Sequence, residues 1–290
     1  MLSSDSRSRR KRGGELNSTT GEAAARRVKG IVFDLDGTLV RGPNALAGAV
    51  DAVASIRAMG VLLAFCTQDS VNPPEHVSTK LARLGFGAEP EDVICAGWFA
   101  ARHLAETYPG QKIYAICSPD LRRSFVSQGV ELVSEAEAAT AKVAFVARDP
   151  HLTAERFAAA CTAIWAGATF YAFGHDRLLP VAGRNAPGGG AFVKAIEFAT
   201  RRRAKVLGKP SKPLALAALR RLGVTPEEAI VVGDSLDSDI RLGRGVGAGG
   251  VLVLTGGTTA KDAESATGLR RPDAVLASVA ALPDWLMGLE

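Results

Sequence analysis

The stretch VKGIVFDLDGTL at residues 28–39 decides the fold of this chain. Its first half is a continuous run of β-branched and other apolar residues, which is typical of a strand buried on both faces of a parallel sheet. Asp34 and Asp36 follow that run directly. Residues 43–59 then show a helical period, and VLLAFCT at 61–67 is a second apolar run. Together these segments predict a β-α-β unit with a right-handed crossover.

The same alternation continues through the rest of the chain, which predicts an α/β protein with a Rossmann-like parallel-sheet core. Further strands are predicted at 112–117, 142–147, 168–173, 204–207, 229–232, 251–254 and 272–277. Helices are predicted at 91–106, 119–128, 153–166, from the PGGGA turn at 187–191 to residue 200, at 212–222 and from residue 238 onward.

The composition is that of a folded protein. Hydrophobic residues make up 47% of the 290 residues and charged residues 22%, which excludes a wholly disordered chain. The sequence has no apolar run of the length that spans a membrane. Four cysteines without metal-type or redox-type spacing predict free thiols and a cytoplasmic protein.

The net charge of +5 does not predict a nucleic-acid partner, because it is concentrated in one segment. Residues 1–27 hold seven Lys and Arg against three Asp and Glu, so the rest of the chain is nearly neutral. The polar, aperiodic residues 1–28 are expected to form a disordered basic tail.

Polar side chains follow four predicted strands at the points where the strands end, where open parallel sheets bind ligands. They are Asp34, Asp36, Thr67, Asp69, Lys209, Asp234, Asp237 and Asp239. Because clustered carboxylates repel one another, they predict a hard divalent cation, and the phosphate chemistry considered next makes Mg²⁺ the expected ion. A lysine and a hydroxyl nearby suit phosphate oxygens. A carboxylate can attack phosphorus, and a second can protonate the leaving oxygen.

DLDGTL (34–39), Thr67, Lys209 and GDSLDSD (233–239) resemble, in order, the four motifs of the haloacid dehalogenase-like superfamily. The long interval between the second and third motifs resembles members with an inserted α/β cap domain. GKP (208–210) and VLTGGTT (253–259) are similar to the type IIA subgroup, which includes p-nitrophenyl phosphate and glycerol phosphate phosphatases. The expected domains are a core at 29–72 and 205–290 and a cap at 73–204.

The resemblance implies roles for the motif residues. Asp34 would be the nucleophile and Asp36 the general acid and base. Asp34, the Asp36 carbonyl and Asp234 would hold Mg²⁺. The residues implied to grip the phosphoryl group or to order the site are Thr67, Lys209, Asp239 and Gly37.

The chain departs from the subgroup near the substrate. Gln68-Asp69 replaces the usual Asn-Asn after the second motif, and Gly174-His175-Asp176 replaces the usual Asn-Pro-Asp of the cap. Asp69 is expected to face away, to pair with Lys209 or to recognise the substrate. The candidate substrate-binding residues are Gln68, Asp69, His175, Asp176, Arg184 and Asn185.

The predicted function is therefore Mg²⁺-dependent hydrolysis of a small phosphate monoester of a sugar, polyol or related metabolite. Two alternatives stay open at this point. One is a phosphoryl transferase that uses the same aspartyl phosphate, and the other is a non-catalytic binding module. The resemblance also admits a homodimer formed through the cap.

Overall fold

The computed structural model of the chain describes residues 28–181 and 184–289. In chain order its strands are β1 (Gly30–Phe33), β2 (Val40–Arg41), β3 (Asn44–Ala45), β4 (Leu62–Thr67), β5 (Val93–Cys95), β6 (Lys112–Ile116), β7 (Glu131–Leu132), β8 (Val143–Val146), β9 (Thr169–Ala172), β10 (Leu178–Val181), β11 (Arg184–Pro187), β12 (Lys205–Val206), β13 (Ala229–Gly233), β14 (Gly249–Val253) and β15 (Ala274–Leu276). Its α-helices are α1 (Ala49–Ala58), α2 (Pro74–Arg83), α3 (Ala96–Thr107), α4 (Pro119–Ser127), α5 (Ala154–Trp165), α6 (Gly189–Thr200), α7 (Lys212–Leu222), α8 (Arg241–Arg244), α9 (Ala260–Glu264) and α10 (Leu282–Met287).

The core is a six-stranded sheet with the order β15-β14-β13-β1-β4-β5, and every pair in it is parallel. The register sets Phe33 of β1 beside Val232 of β13 and Phe65 of β4. The three strands therefore end side by side, and the polar residues after them leave the sheet at one edge. The predicted α/β fold with a parallel core is confirmed.

A second parallel sheet has the order β12-β9-β8-β6-β7. Strand β12, which lies at one edge of this sheet and comes last of the five along the chain, ends three residues before Lys209. Because the Lys209 side chain reaches the carboxyl end of the core sheet, the carboxyl ends of β9 and β12 face the same region. One apolar cluster joins the two sheets and includes Val32 of β1 and Phe145 of β8.

Strand pairing does not coincide with the predicted domain limits at 72/73 and 204/205. Val93–Cys95 pairs with β4 and so extends the core sheet beyond residue 73. Lys205–Val206 pairs with β9 and belongs to the second sheet.

The helix predicted over 91–106 is wrong in its first turn, where Val93–Cys95 forms β5 and the helix starts only at Ala96. A short apolar run can form either a strand or a helix, and its neighbours in the fold decide between them.

Two other helices begin differently from the prediction. The helix predicted from residue 43 starts at Ala49, because residues 40–45 form the β2–β3 hairpin. The helix predicted from residue 238 starts as a π-helical turn over Leu236–Ile240 and continues as α8. The helix predicted to follow the PGGGA turn is confirmed as α6.

The proposed tail lies, apart from residue 28, outside the described residues. Among the helices of residues 28–181 and 184–289, none is long and apolar enough to cross a membrane.

Candidate active site

Asp34 and Lys209 meet in a buried ion pair at the carboxyl end of β1. The Lys209 Nζ lies 2.6 Å from Asp34 Oδ1 and 2.9 Å from Asp239 Oδ1. The Thr38 hydroxyl donates to Asp34 Oδ2 over 2.8 Å. Lys209 is only 4% exposed and Asp239 only 1%. Burial alone would lower the pKa of Lys209, but Asp239 and Asp34 raise it well above its ordinary value, so the side chain is an ammonium.

Three carboxylates form a cluster that could hold a divalent cation. Asp34, Asp234 and Asp239 each place an oxygen within 4.8 Å of the others. Burial raises the pKa of Asp239 to about 7, and it also raises the pKa of Asp234. A bound cation would favour the ionised form of each carboxyl group, and carboxylate oxygens are the ligands that Mg²⁺ prefers.

The acid cluster is divided between solvent and interior. Asp234 is partly exposed, and its Oδ2 accepts a bond from the Gly257 amide over 2.9 Å. Asp239 accepts from Lys209 and from the Ser235 amide. A hydrated ion from solvent would therefore meet Asp234 before Asp239. The buried Asp239 is better placed to hold the Lys209 side chain.

Glycines clear the space around these acids. Gly37 has a φ of +90°, and a Cβ there would lie 2.7 Å from Asp234 Oδ2. A Cβ on Gly256 would lie 1.6 Å from the same oxygen, and one on Gly233 would lie 2.3 Å from the Asp239 side chain. Real Cβ atoms do not approach other atoms this closely, so the acid cluster needs glycine at all three positions.

Asp36 is the exposed acid of the site. Partial desolvation raises its pKa, and the charges of Asp34 and Asp69 act in the same direction against the attraction of Lys80. A carboxyl group whose pKa is raised holds its proton closer to neutral pH, which suits a general acid.

Asp69 points into its own loop. Its Oδ1 accepts bonds from the Val71 and Asn72 amides over 2.6 and 2.9 Å, and its Oδ2 accepts from the Asn72 side chain. These bonds hold the Asp69 carboxylate to residues 71 and 72, whereas the Lys209 ammonium lies between Asp34 and Asp239, so the expected pairing of Asp69 with Lys209 is not the one in the structure. The buried Thr67 hydroxyl accepts a bond from the Asp69 amide over 3.2 Å.

The candidate cap residues lie in one loop and one hairpin. His175 and Asp176 are exposed in the loop after β9. The Asp176 carbonyl accepts a bond from the Gly190 amide, so the glycines that begin α6 pack against this loop. Arg184 and Asn185 lie in β11, where the side chains fall outside the described part of the structure.

Two contacts at the site involve residues of VLTGGTT (253–259), which the resemblance left without a role. The Thr255 hydroxyl donates to the Gly37 carbonyl over 2.6 Å, and Gly257 binds Asp234. Both residues follow β14 at its carboxyl end, so the position rule that identified the acids could also have found them.

Comparison with known proteins identifies the family. A family model described as haloacid dehalogenase-like hydrolase matches residues 31–131, and a second, HAD-hydrolase-like model matches residues 206–282. A glycerol-3-phosphate phosphatase of Gallus gallus is 31% identical, and the match covers 85% of this chain and 86% of that protein. An acid sugar phosphatase of Staphylococcus aureus is 28% identical over 83% of this chain and 92% of its own length.

A solved structure agrees with this assignment. The crystal structure of a glycerol phosphate phosphatase from Mycobacterium tuberculosis in complex with magnesium superposes with a TM-score of 0.78. It is 30% identical, and the match covers 89% of this chain and 77% of that one. The chain belongs to the haloacid dehalogenase-like hydrolase family, and the predicted membership is confirmed.

Proposed function

We propose that this protein is a Mg²⁺-dependent phosphatase that hydrolyses a small phosphate monoester through an aspartyl phosphate on Asp34. The observation that carries the proposal is the buried contact between Lys209 and Asp34 beside a cluster of three carboxylates. In-line transfer of a phosphoryl group needs a nucleophile and positive charge for the phosphoryl oxygens. The relatives named as phosphatases of glycerol phosphate and of acid sugars support this reaction class.

The donor set of the site fits Mg²⁺. Asp34, Asp234 and the Asp36 carbonyl would hold the ion, and Mg²⁺ bound there would neutralise negative charge on the phosphoryl oxygens. The magnesium complex of the M. tuberculosis phosphatase supports this choice of ion.

The reaction consists of two displacements at phosphorus. In the first, an Asp34 oxygen attacks phosphorus and the ester P–O bond breaks, while Asp36 gives its proton to the departing alkoxide. In the second, Asp36 takes a proton from water, whose oxygen attacks phosphorus and breaks the bond to Asp34. Inorganic phosphate leaves, and both carboxyl groups return to their starting states.

The remaining motif residues bind the phosphoryl group and shape the site. The Lys209 ammonium and the Thr67 hydroxyl supply charge and a donor for its oxygens. Asp239 holds Lys209, and Gly37 leaves room for Asp234.

Recognition of the alcohol part belongs to the loops between the two sheets. His175 and Asp176 face solvent there and can bind hydroxyl groups. Arg184 and Asn185 would add to them from the β10–β11 hairpin. A sugar or polyol phosphate is therefore the expected substrate, with Asp69 shaping its loop rather than binding the ligand.

Phosphate release from p-nitrophenyl phosphate, glycerol phosphate and sugar phosphates, with and without Mg²⁺, tests the proposal. Asp34→Asn should abolish release. Asp237→Asn is the matched control, since Asp237 is exposed and paired with Arg270 at 3.0 Å. Release that survives Asp34→Asn, or that ignores removal of Mg²⁺, would overturn the mechanism.

The free cysteines support a cytoplasmic setting, and exposed apolar residues support a homodimer. The four cysteines are free and buried, which fits a reducing cytoplasm. Phe198 on α6 is 89% exposed, and Trp165 on α5 is also exposed, and these exposed apolar side chains of the predicted cap support a homodimer. Light scattering of the native protein and of Phe198→Ser would test that assembly.

A further inference from the structure

Gln68 joins the core sheet to the second sheet. It follows β4 in the core, and its Oε1 accepts a bond from the Lys209 backbone amide over 2.9 Å, across 141 residues of chain. Lys209 itself follows β12 of the second sheet. The bond therefore fixes the backbone from which the Lys209 side chain extends to Asp34.

The amide of Gln68 lies in a slot that two glycines keep open. A Cβ on Gly174 would lie 2.9 Å from Gln68 Nε2, and a Cβ on Gly208 would lie 2.8 Å from that nitrogen and 3.0 Å from Oε1. The Gly208 amide in turn donates to the Phe173 carbonyl over 2.8 Å. The slot is thus built from the ends of β9 and β12, and any side chain at either glycine would displace Gln68.

The oxygen and the nitrogen of the Gln68 side-chain amide have different surroundings. Nε2 is buried and has no hydrogen-bond partner among residues 28–181 and 184–289. Because Lys209 offers an N–H, only the oxygen of Gln68 can face it, so the amide orientation is determined. The carbonyl end alone connects Gln68 to the site.

We propose that Gln68 is a positioning residue for Lys209. Its carbonyl holds the Lys209 backbone so that the ammonium lies between Asp34 and Asp239 at 2.6 and 2.9 Å. This inference rests on the proposed function, because it assigns Gln68 an effect on phosphoryl transfer. A misplacement of about 1 Å in a group that contacts the reacting atoms can lower the rate about 10²-fold.

Two variants of Gln68 test this role. Gln68→Met keeps the length and removes the acceptor, so kcat for p-nitrophenyl phosphate should fall about 10- to 100-fold with a smaller change in KM. Gln68→Glu keeps an acceptor oxygen for the Lys209 amide but puts a second oxygen in the place of the buried Nε2, so it should restore most of kcat only at a pH low enough to keep its carboxyl group protonated. Gln111→Met, at an exposed position, is the control for the substitution itself.

The outcomes are distinct. The role is overturned if Gln68→Met turns over like the native protein, if Gln68→Glu with its carboxyl group protonated is as slow as Gln68→Met, or if the loss lies in KM alone. Thermal unfolding of each variant shows whether a slow variant is still folded, and a rescue by Gln68→Glu at equal Tm supports positioning. If the native protein itself releases no phosphate from any ester, the proposed function fails instead.

Discussion

Lys209→Met replaces a buried ammonium by an uncharged side chain of similar length, and we expect a large loss of stability. In the native protein the ammonium separates Asp34 from Asp239, whose oxygens lie within 4.8 Å of each other. At an effective dielectric constant of about 20, two like charges at that distance repel by roughly 3–4 kcal/mol. Removal of one partner from a buried ion pair typically costs about 3–5 kcal/mol. The two estimates agree.

The loss should depend on pH in a defined direction. Burial already places the pKa of Asp239 at about 7, and removal of Lys209 raises this pKa further. In the unfolded chain an aspartate titrates near 3.9, so between about pH 4 and 7 the folded variant binds more protons than the unfolded one. The free energy of unfolding of Lys209→Met should therefore rise as the pH falls from 8 to 5. The native protein gains in the same way only below about pH 7, so the deficit of the variant should shrink between pH 8 and 7 and then stay constant.

Urea unfolding followed by circular dichroism measures this effect. At pH 8 without Mg²⁺, Lys209→Met should lose about 3–5 kcal/mol, or roughly 6–20 °C in Tm. Lys212→Met, at an exposed position three residues further along, should stay within about 0.5 kcal/mol of the native protein. A Lys209→Met variant as stable as Lys212→Met, or one that becomes weaker on acidification, would refute the electrostatic reasoning.

Three further results are expected. Gly256→Ala should weaken Mg²⁺ binding about 10- to 100-fold in calorimetry, because its Cβ would displace Asp234. Gly257→Ala is the control and should bind Mg²⁺ normally, since none of the described residues lies within 4 Å of a Cβ there, and equal affinities of the two variants would contradict this reasoning. Lys80→Met should move the basic limb of the pH–rate profile to higher pH, because loss of the positive charge raises the pKa of Asp36. A basic limb that stays in place or moves to lower pH would argue against Asp36 as the general acid. The four cysteines should react slowly with a thiol reagent until the protein is unfolded, since burial raises the pKa of every thiol; fast native labelling would show that they are accessible.

Much of the site could be predicted because its information is local. Asp34 and Asp36 follow an apolar run, and a buried parallel strand that ends in polar residues places them at the ligand edge of a sheet. The same reasoning applies to Thr67 and Asp234. Family resemblance then supplied roles that the spacing alone left open.

Other features could not be predicted because they depend on what packs against them. The run at Val93–Cys95 is too short for its period to distinguish strand from helix, and pairing with β4 decided it. The sequence left open whether Asp69 pairs with Lys209, and the amides of its own loop bind the carboxylate instead.

The sequence by itself determined the class of fold and the identity of the motif residues, since apolar periodicity and the order of polar residues after strands are properties of the chain. Only the tertiary structure decided how those residues meet. Lys209 lies 175 residues from Asp34 and 141 from Gln68, and both contacts exist because β12 pairs with β9 while β1 and β4 pair in the core. Such contacts depend on sheet order and close packing, which local patterns do not encode.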